Sequence, residues 1–409
     1  MKYQHPMLGT PPSTPASVAK DDYPKETDDS LFDLSIGNNT TFDEESFISE
    51  ENGNPYISPT SPCNHDFSFS LKLQNPINEK RCDVLRDCGS PYKHYELHHS
   101  ALERFVLPRT SFEVRLLNRL GTGSNSYVYE ATMHSPVCGS HLIAIKIPVS
   151  RGKVKYLENE ALFTMMLKKY RTKNSEGLDS YPFIDAYGLY YLNRNDFALM
   201  KKNYELPCLI MRKMDCTLTR FIRERRIYAR PDEIVIGKHY WWQLCGTLFH
   251  ALEVLRTLRS VHCDLKTDNI MISFLSKSGE SSPVFKVGDF SSASKLEDLQ
   301  GLPGTTLQFS APELVDPTLG SNASTKTDLF SCGMILLDAA TGRAPYQAYS
   351  YDQFYLVSLA AKNKVLEVLE RESVNILRAN PEIYHLIKMI IKDRCTLDDA
   401  TSCYKRSCF

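Results

Sequence analysis

Residues 262–272 read HCDLKTDNIMI, and the interpretation of the whole chain turns on them. An acid at Asp264, a cation at Lys266 and an amide at Asn269 run directly into the apolar NIMI, a polar loop feeding a short strand. About twenty residues later FKVGDFSSAS (285–294) supplies a second acid, Asp289, with Phe290 beside it as an apolar anchor. SAPELV (310–315) and TDLFSCG (327–333) follow, the latter opening the most apolar element of the chain with a carboxylate, Asp328. On the other side, GTGSNSYV (121–128) sets glycines between two strand-like runs, and IAIK (143–146) places Lys146 inside a run of apolar residues.

These residue types suit one chemistry. Glycines between strands let backbone N–H groups approach an anionic ligand such as a nucleotide phosphate. A lysine among apolar residues needs a partner or an anion, and Glu160 on the following helical stretch is a suitable partner. In the polar loop Asp264 can orient an acceptor hydroxyl and take its proton, and Lys266 can neutralise a transferring phosphate; Asn269 and Asp289 can ligate magnesium. Asp328 can cap the loop backbone, and Arg394 can pair with Glu313. Each feature has a plainer reading beside it. The glycine stretch also suits an ordinary hairpin, Lys146 an edge-strand lysine reaching water, and Arg394 and Glu313 two unrelated surface charges.

The chain has 409 residues, 42% of them hydrophobic, enough to bury a sizeable core, and a formal net charge of −1. That balance gives no global attraction to nucleic acid or anionic membrane. Its 12 cysteines contain no C-x-x-C pair and no zinc-like spacing with His, so reduced thiols in an intracellular compartment are expected. The N-terminus has no signal-like apolar stretch and no run reaches membrane-span length, so a soluble protein of the cytoplasm or nucleus is expected, without membrane insertion. Residues 1–105 are rich in Ser, Thr, Pro, Asn and Asp, with acidic clusters at 20–29 and 42–51, and read as a disordered regulatory tail. Strand-like runs at 111–120, 126–133 and 141–147 come next, then helical stretches at 155–170 and 238–258, and a largely helical remainder after 327. A strand-rich part preceding a helix-rich one predicts a bilobal α+β architecture with a cleft between the lobes.

The order of glycine loop, Lys, Glu, polar loop, DF-x, APE and helix-start Asp resembles the eukaryotic protein kinase family over residues 112–402. The resemblance implies a protein kinase fold over 106–409, with a small β-rich N-lobe at 112–213 and a larger helical C-lobe at 214–409. It implies an ATP-dependent Ser/Thr protein kinase acting on protein substrates in signalling, with ATP and Mg2+ as cofactors; DLK-x-x-N with Lys266 resembles the Ser/Thr branch. It also implies an ATP site lined by Gly121, Thr122, Gly123, Ser124, Asn125, Ser126, Val128, Ala144 and Lys146, with the hinge at 209–215, Met211 as gatekeeper and Met214 beyond it. Within the family the chain is most similar to divergent fungal kinases of the "inhibition of staurosporine resistance" type. The shared features are a TPP-containing head, the tandem Trp241–Trp242 and the departure from DFG.

Three positions depart from the family pattern. Ser126 replaces a loop glycine, Cys263 the arginine that in many kinases pairs with a phosphate on the activation segment, and Ser291 the glycine of DFG. Cys263 cannot make a charge-assisted bond to phosphate, so activity independent of activation-segment phosphorylation is expected, although Ser292, Ser294, Thr305 and Thr306 are available there. A pseudokinase scaffold that binds nucleotide or partners is the rival reading; a small-molecule kinase on the same fold is a third. In the tail, Thr10 and Thr14 each precede proline, a pattern that resembles a phosphodegron read by F-box ubiquitin-ligase receptors and also suits a plain Pro-rich linker. Ser58, Ser61 and Ser90 also precede proline.

Overall fold

The computed structural model describes residues 93–94, 97–108, 112–135, 139–174, 177, 180–193, 204–277, 280–299, 306–319 and 322–408. Thr10, Thr14, Ser58, Ser61, Ser90 and Thr305, and with them the expected degron, lie outside the described residues.

The first part is a six-stranded sheet built from β1 (Lys93–His94), β2 (Glu113–Thr122), β3 (Ser126–Ser135), β4 (Gly139–Pro148), β5 (Ala186–Leu192) and β6 (Tyr204–Arg212). β2, β3, β4 and β6 form an antiparallel run, and β5 pairs with the far edge of β6. Strand periodicity explains how IAIKI works. Ile143, Ile145 and Ile147 point into one apolar cluster with Tyr129, Ala131 and Ile210, so the alternating Ala144 and Lys146 must face the other way. Helix α1 (Val154–Asn174) packs on that second face, with Leu157 and Ala161 against Leu189 and Leu209.

The segment before the sheet belongs to the same body. A 3₁₀ turn at Ser100–Phe105 buries Leu102 completely and Phe105 nearly so in the cluster that holds Leu157 and Ala161. The His98 backbone N–H donates to Glu158 Oε1 at 3.1 Å, and its ring Nδ1 lies 3.0 Å from Glu158 Oε2. The boundary expected between 105 and 106 therefore falls inside a packed segment, because two large apolar side chains in a polar stretch are enough to seat one turn on α1.

The second part is mainly helical. The short β7 (Cys216–Thr217) leads into α2 (Leu218–Arg226) and α3 (Lys238–Thr257). β8 (Ser260–Val261), β9 (Ile270–Lys277), β10 (Glu280–Val287) and β11 (Ser294–Lys295) then frame the loops of interest, β9 and β10 as a hairpin. α4 (Pro312–Val315), α5 (Thr325–Thr341), α6 (Gln353–Ala361), α7 (Arg371–Ala379), α8 (Pro381–Ile391) and α9 (Leu397–Cys408) complete it. The stripe Trp241, Leu244, Cys245, Leu248, Leu252 and Leu255 on α3 is core, as its helical spacing predicts, and the Trp241 indole donates to the Leu336 carbonyl at 2.8 Å. α5 is buried from Thr327 to Thr341, which only a helix at the centre of its lobe can be. Ser324 and Thr327 form a capping box at its start and Gly342, at φ 68°, ends it. Gly333 lets α8 approach closely: a Cβ there would stand 2.7 Å from Ile390 Cγ2. Among the described residues no helix is long and apolar enough to cross a membrane.

Candidate active site

Lys146 is the hub where the two parts meet. Its ammonium lies 2.6 Å from Glu160 Oε2 on α1 and 2.8 Å from Asp289 Oδ1, with the side chain 8% exposed. Burial works against the charge of Lys146, but the two carboxylates outweigh it and hold the ammonium above its ordinary range. Burial also pushes the Glu160 carboxyl up, with Lys146 opposing. Asp289 ends well below the usual carboxylate range: burial pulls it up, but Lys146, then Ser291 and His262, win. The reading of Lys146 as an edge lysine reaching water is excluded by its burial and by its two partners.

The polar loop between β8 and β9 is suspended from α5. Asp328, fully buried, accepts from the backbone N–H of His262 at 2.7 Å and of Cys263 at 3.1 Å. These bonds hold Cys263 in the left-handed region at φ 67°, an uncommon conformation for a non-glycine residue. The His262 ring lies 3.0 Å, through Nε2, from the Gly288 carbonyl, joining this loop to the one carrying Asp289. Phe290 anchors that second loop, edge-on to Phe183 at 5.5 Å and stacked on Phe163 of α1 at 6.4 Å.

Asp264 gathers four donor groups. Lys266 Nζ donates to Oδ2 at 2.8 Å; the Thr306 hydroxyl and N–H donate to Oδ1 at 2.8 and 3.2 Å. Asn269 donates to the Asp264 carbonyl at 2.8 Å. Lys266 also donates to the Thr306 hydroxyl at 2.9 Å, which closes a three-membered ring of polar groups. Thr306, expected only as one of several modifiable hydroxyls, is thus part of the cluster, and its hydroxyl is engaged with Asp264.

The same contacts bear on cation binding. With its Nδ2 tied to Asp264, Asn269 keeps its amide oxygen as a ligand atom. Asp289 Oδ1 carries Lys146 and Ser291, while among the described residues Oδ2 accepts no hydrogen bond. Among the described residues no group of three or more His, Cys, Asp or Glu could hold a metal ion. One carboxylate and one amide oxygen, completed by phosphate oxygens and water, is nevertheless a mode magnesium commonly uses. The residues fit that ion.

The glycine loop is the hairpin from β2 to β3, closed by the Gly123 N–H donating to the Ser126 carbonyl at 2.9 Å. Neither of its glycines is imposed by the hairpin: both lack a positive φ, and a Cβ on Gly121 would meet nothing within 4 Å. A Cβ on Gly123 would make ordinary contact with the Ser126 carbonyl at 3.5 Å. Thr122 and Val128 lie on the paired strands, and Ser124 and Asn125 form the tip, where the Asn125 carbonyl accepts from Val149 N–H at 3.1 Å. Val128 pairs with Lys146 and Ala144 with Met211, so these four share one face of the sheet. Met214 sits just beyond, in the connector to β7, partly buried. Farther off, Arg394 pairs with Glu313 and lies 4.8 Å from the centre of the Phe330 ring, both groups largely buried, which excludes two unrelated surface charges.

On the other side of the polar loop the setting is apolar. Cys263 packs with Val261 and Ala323, and the half-buried Leu299 and Leu314 close over them. Burial, reinforced by Asp328 and Asp264, pushes its thiol far above the ordinary range, so it is an inert packing group.

A protein kinase domain model matches residues 186–402, more than half of the chain. The chain belongs to the protein kinase family. The matched span opens at β5, so the glycine loop, Lys146 and Glu160 precede it; Lys146 and Glu160 are joined to the matched span by the ion pair of Lys146 with Asp289. The chain is similar to the serine/threonine-protein kinase ISR1 of Saccharomyces cerevisiae, at 28% identity over 251 residues, covering 60% of this chain and 55% of that one. It is similar to ISR1 of Eremothecium gossypii at 27% over 236 residues, covering 58% and 60%. The serine/threonine-protein kinase ULK3 of Xenopus laevis is 33% identical over 178 residues, covering 43% and 33%. The chain thus spans little more than half the length of the two ISR1 kinases it matches.

Sequence reasoning missed two members of this kinase site. Thr306 lies five residues before Ala311 of the SAPELV stretch, and its pairing with Asp264, 42 residues away, has no local sequence signal. Asn159 directly precedes Glu160, and its Nδ2 lies 2.9 Å from the Ala293 carbonyl; no local pattern marks an asparagine in mid-helix as a long-range donor.

Proposed function

We propose that the chain is an ATP-dependent Ser/Thr protein kinase that transfers the γ-phosphoryl group of ATP to protein Ser or Thr hydroxyls. The observation that carries this reading is the joint placement of Lys146, Glu160 and Asp289 in one ion-paired cluster, with Asp264 and Lys266 held together by Thr306. In this reading Lys146, fixed by Glu160, orients the nucleotide phosphates beneath the loop of Gly121 and Gly123. Asp264 takes up the acceptor hydroxyl, and Lys266, now bonded to Asp264 and Thr306, stabilises charge on the transferring group. Asn269 and Asp289 would hold magnesium. When bound, that ion neutralises charge on the phosphate oxygens. The Lys266–Thr306 pair, filling the space beside Asp264, supports a Ser/Thr acceptor. Cys263 and Cys332, buried and in no disulfide among the described residues, support a reducing compartment, cytosol or nucleus.

The rival pseudokinase reading draws on Cys263 and Ser291, neither of which removes a charged group from the cluster. The test is transfer of labelled phosphate from Mg-ATP to a generic basic protein and to a Ser/Thr peptide library, comparing wild type with Asp289→Asn. Incorporation that the variant loses supports the kinase reading. Folded wild type that incorporates nothing into either substrate overturns it in favour of the scaffold.

A further inference from the structure

Ser291 occupies the position where the family pattern has glycine, and a Cβ there restricts the backbone beside Asp289. The structure adds a bond that glycine cannot make. The Ser291 hydroxyl donates to Asp289 Oδ1 at 2.7 Å, and its backbone N–H lies 3.3 Å from the same atom. Lys146 donates to that oxygen as well, at 2.8 Å. Three donors on one oxygen fix the rotation of the carboxylate, which is otherwise broad about its terminal torsion. They also divide its two atoms: Oδ1 is spent on the protein, and Oδ2 carries no donor from the described residues.

The turn holding Ser291 is gripped in its own right. Asn159 Nδ2 lies 3.2 Å from the Phe290 carbonyl, 3.2 Å from that of Ser291 and 2.9 Å from that of Ala293. The next residue, Glu160, pairs with Lys146, whose ammonium also holds Asp289. Consecutive residues of α1 therefore hold this short turn, Asn159 through its carbonyls and Glu160 through Lys146 and Asp289. Asp289 is left-handed at φ 60°, ψ 75°, an arrangement that persists only where its surroundings over-determine it.

We infer that Ser291 and Asn159 are positioning residues that lock Asp289 in its cation-ready orientation and tie it to the helix carrying Glu160. The lock rests on the kinase reading above. It supplies by fixed hydrogen bonds the ordering that an arginine–phosphate pair cannot supply where Cys263 stands, and it makes serine a gain at this position.

The experiment measures dissociation constants of the full chain for a fluorescent ATP analogue, with saturating magnesium and with EDTA, and takes their ratio as the magnesium-dependent gain. Ser291→Ala keeps a Cβ and removes only the hydroxyl. Loss of a charge-assisted bond should reduce the gain about tenfold, leaving the EDTA affinity and the unfolding temperature unchanged. Asn159→Ala should reduce it less, and the double variant should lose less than the sum, since both act on one turn. Ser291→Gly should bind magnesium-nucleotide no better than Ser291→Ala. An undiminished gain in Ser291→Ala, an equal loss with and without magnesium, or an improvement in Ser291→Gly overturns the lock while leaving the kinase reading standing. Wild type with no magnesium-dependent gain brings down both.

Discussion

Two faces of one loop have opposite characters. Toward the cleft, Asp264, Lys266, Asn269 and Thr306 form a closed polar network, joined through His262 and Gly288 to the Lys146–Glu160–Asp289 cluster. Behind it, one residue along the chain, Cys263 faces Val261, Ala323, Leu299 and Leu314. In the proposed kinase reading the first face supplies the charged groups for phosphoryl transfer, Lys146, Asp264, Lys266 and Asp289. The second has exchanged a charge for packing. A transfer site tolerates no missing charge, because its stabilisation is electrostatic, whereas an ordering element can be replaced by any interaction that holds the same conformation. The turn at Ser100–Phe105, which seats α1 through Leu102 and Phe105, is a second apolar means of holding the site.

The largest expected effect tests the polar face. Asp264→Asn should lower transfer by about 10²–10⁴-fold with no change in unfolding temperature, measured by initial rate and thermal melt. Next comes the apolar clasp on α1. Leu102→Ala should cost about 2–5 kcal/mol in urea unfolding, and a stability unchanged from wild type would remove the segment from the folded body. On the apolar face, Cys263→Arg should destabilise by about 1–3 kcal/mol through overpacking among Val261, Ala323 and Leu314. Phosphatase treatment of wild type should leave its rate unchanged; a rate that falls would mean that the activation segment is controlled by phosphate after all.

Asp338 on α5 offers the finest test, as a buried carboxylate with no bonded cation among the described residues. Burial, with Asp268 adding and a 3.5 Å hydrogen bond from Thr267 opposing, pushes it up to about 7 from its ordinary 3.8. A raised carboxyl means the folded state binds more protons than the unfolded one, so stability should fall as pH rises from about 4 to about 7. Asp338→Asn should flatten that slope and gain about 1–3 kcal/mol at pH 8, while matching wild type near pH 4. Denaturant midpoints at both pH values decide it, and a variant with the wild-type slope would show that Asp338 is not the titrating group.

Much of the site was legible because its parts are local. Alternation in IAIKI puts Lys146 opposite three buried isoleucines, and helical spacing in α3 and α5 marks their cores. Short-range order also fixes Asp264, Lys266 and Asn269 within one loop. What local pattern could not reveal was pairing across long stretches of chain. Thr306 reaches Asp264 across 42 residues, Asn159 reaches Ala293 across 134, and His98 meets Glu158 across 60. Composition placed Leu102 and Phe105 in a polar tail, since two apolar residues amid many polar ones carry no periodic signal.

Sequence by itself thus determined the kinase architecture, the order of its parts and the identities of the charged groups, because strand and helix periods and loop spacings are properties of neighbouring residues. Only the tertiary structure decided what the departures mean. Whether Cys263 is reactive or packed, and whether Ser291 loosens Asp289 or holds it, depends on which groups lie within bonding distance, and that is set when distant segments are brought together around Lys146.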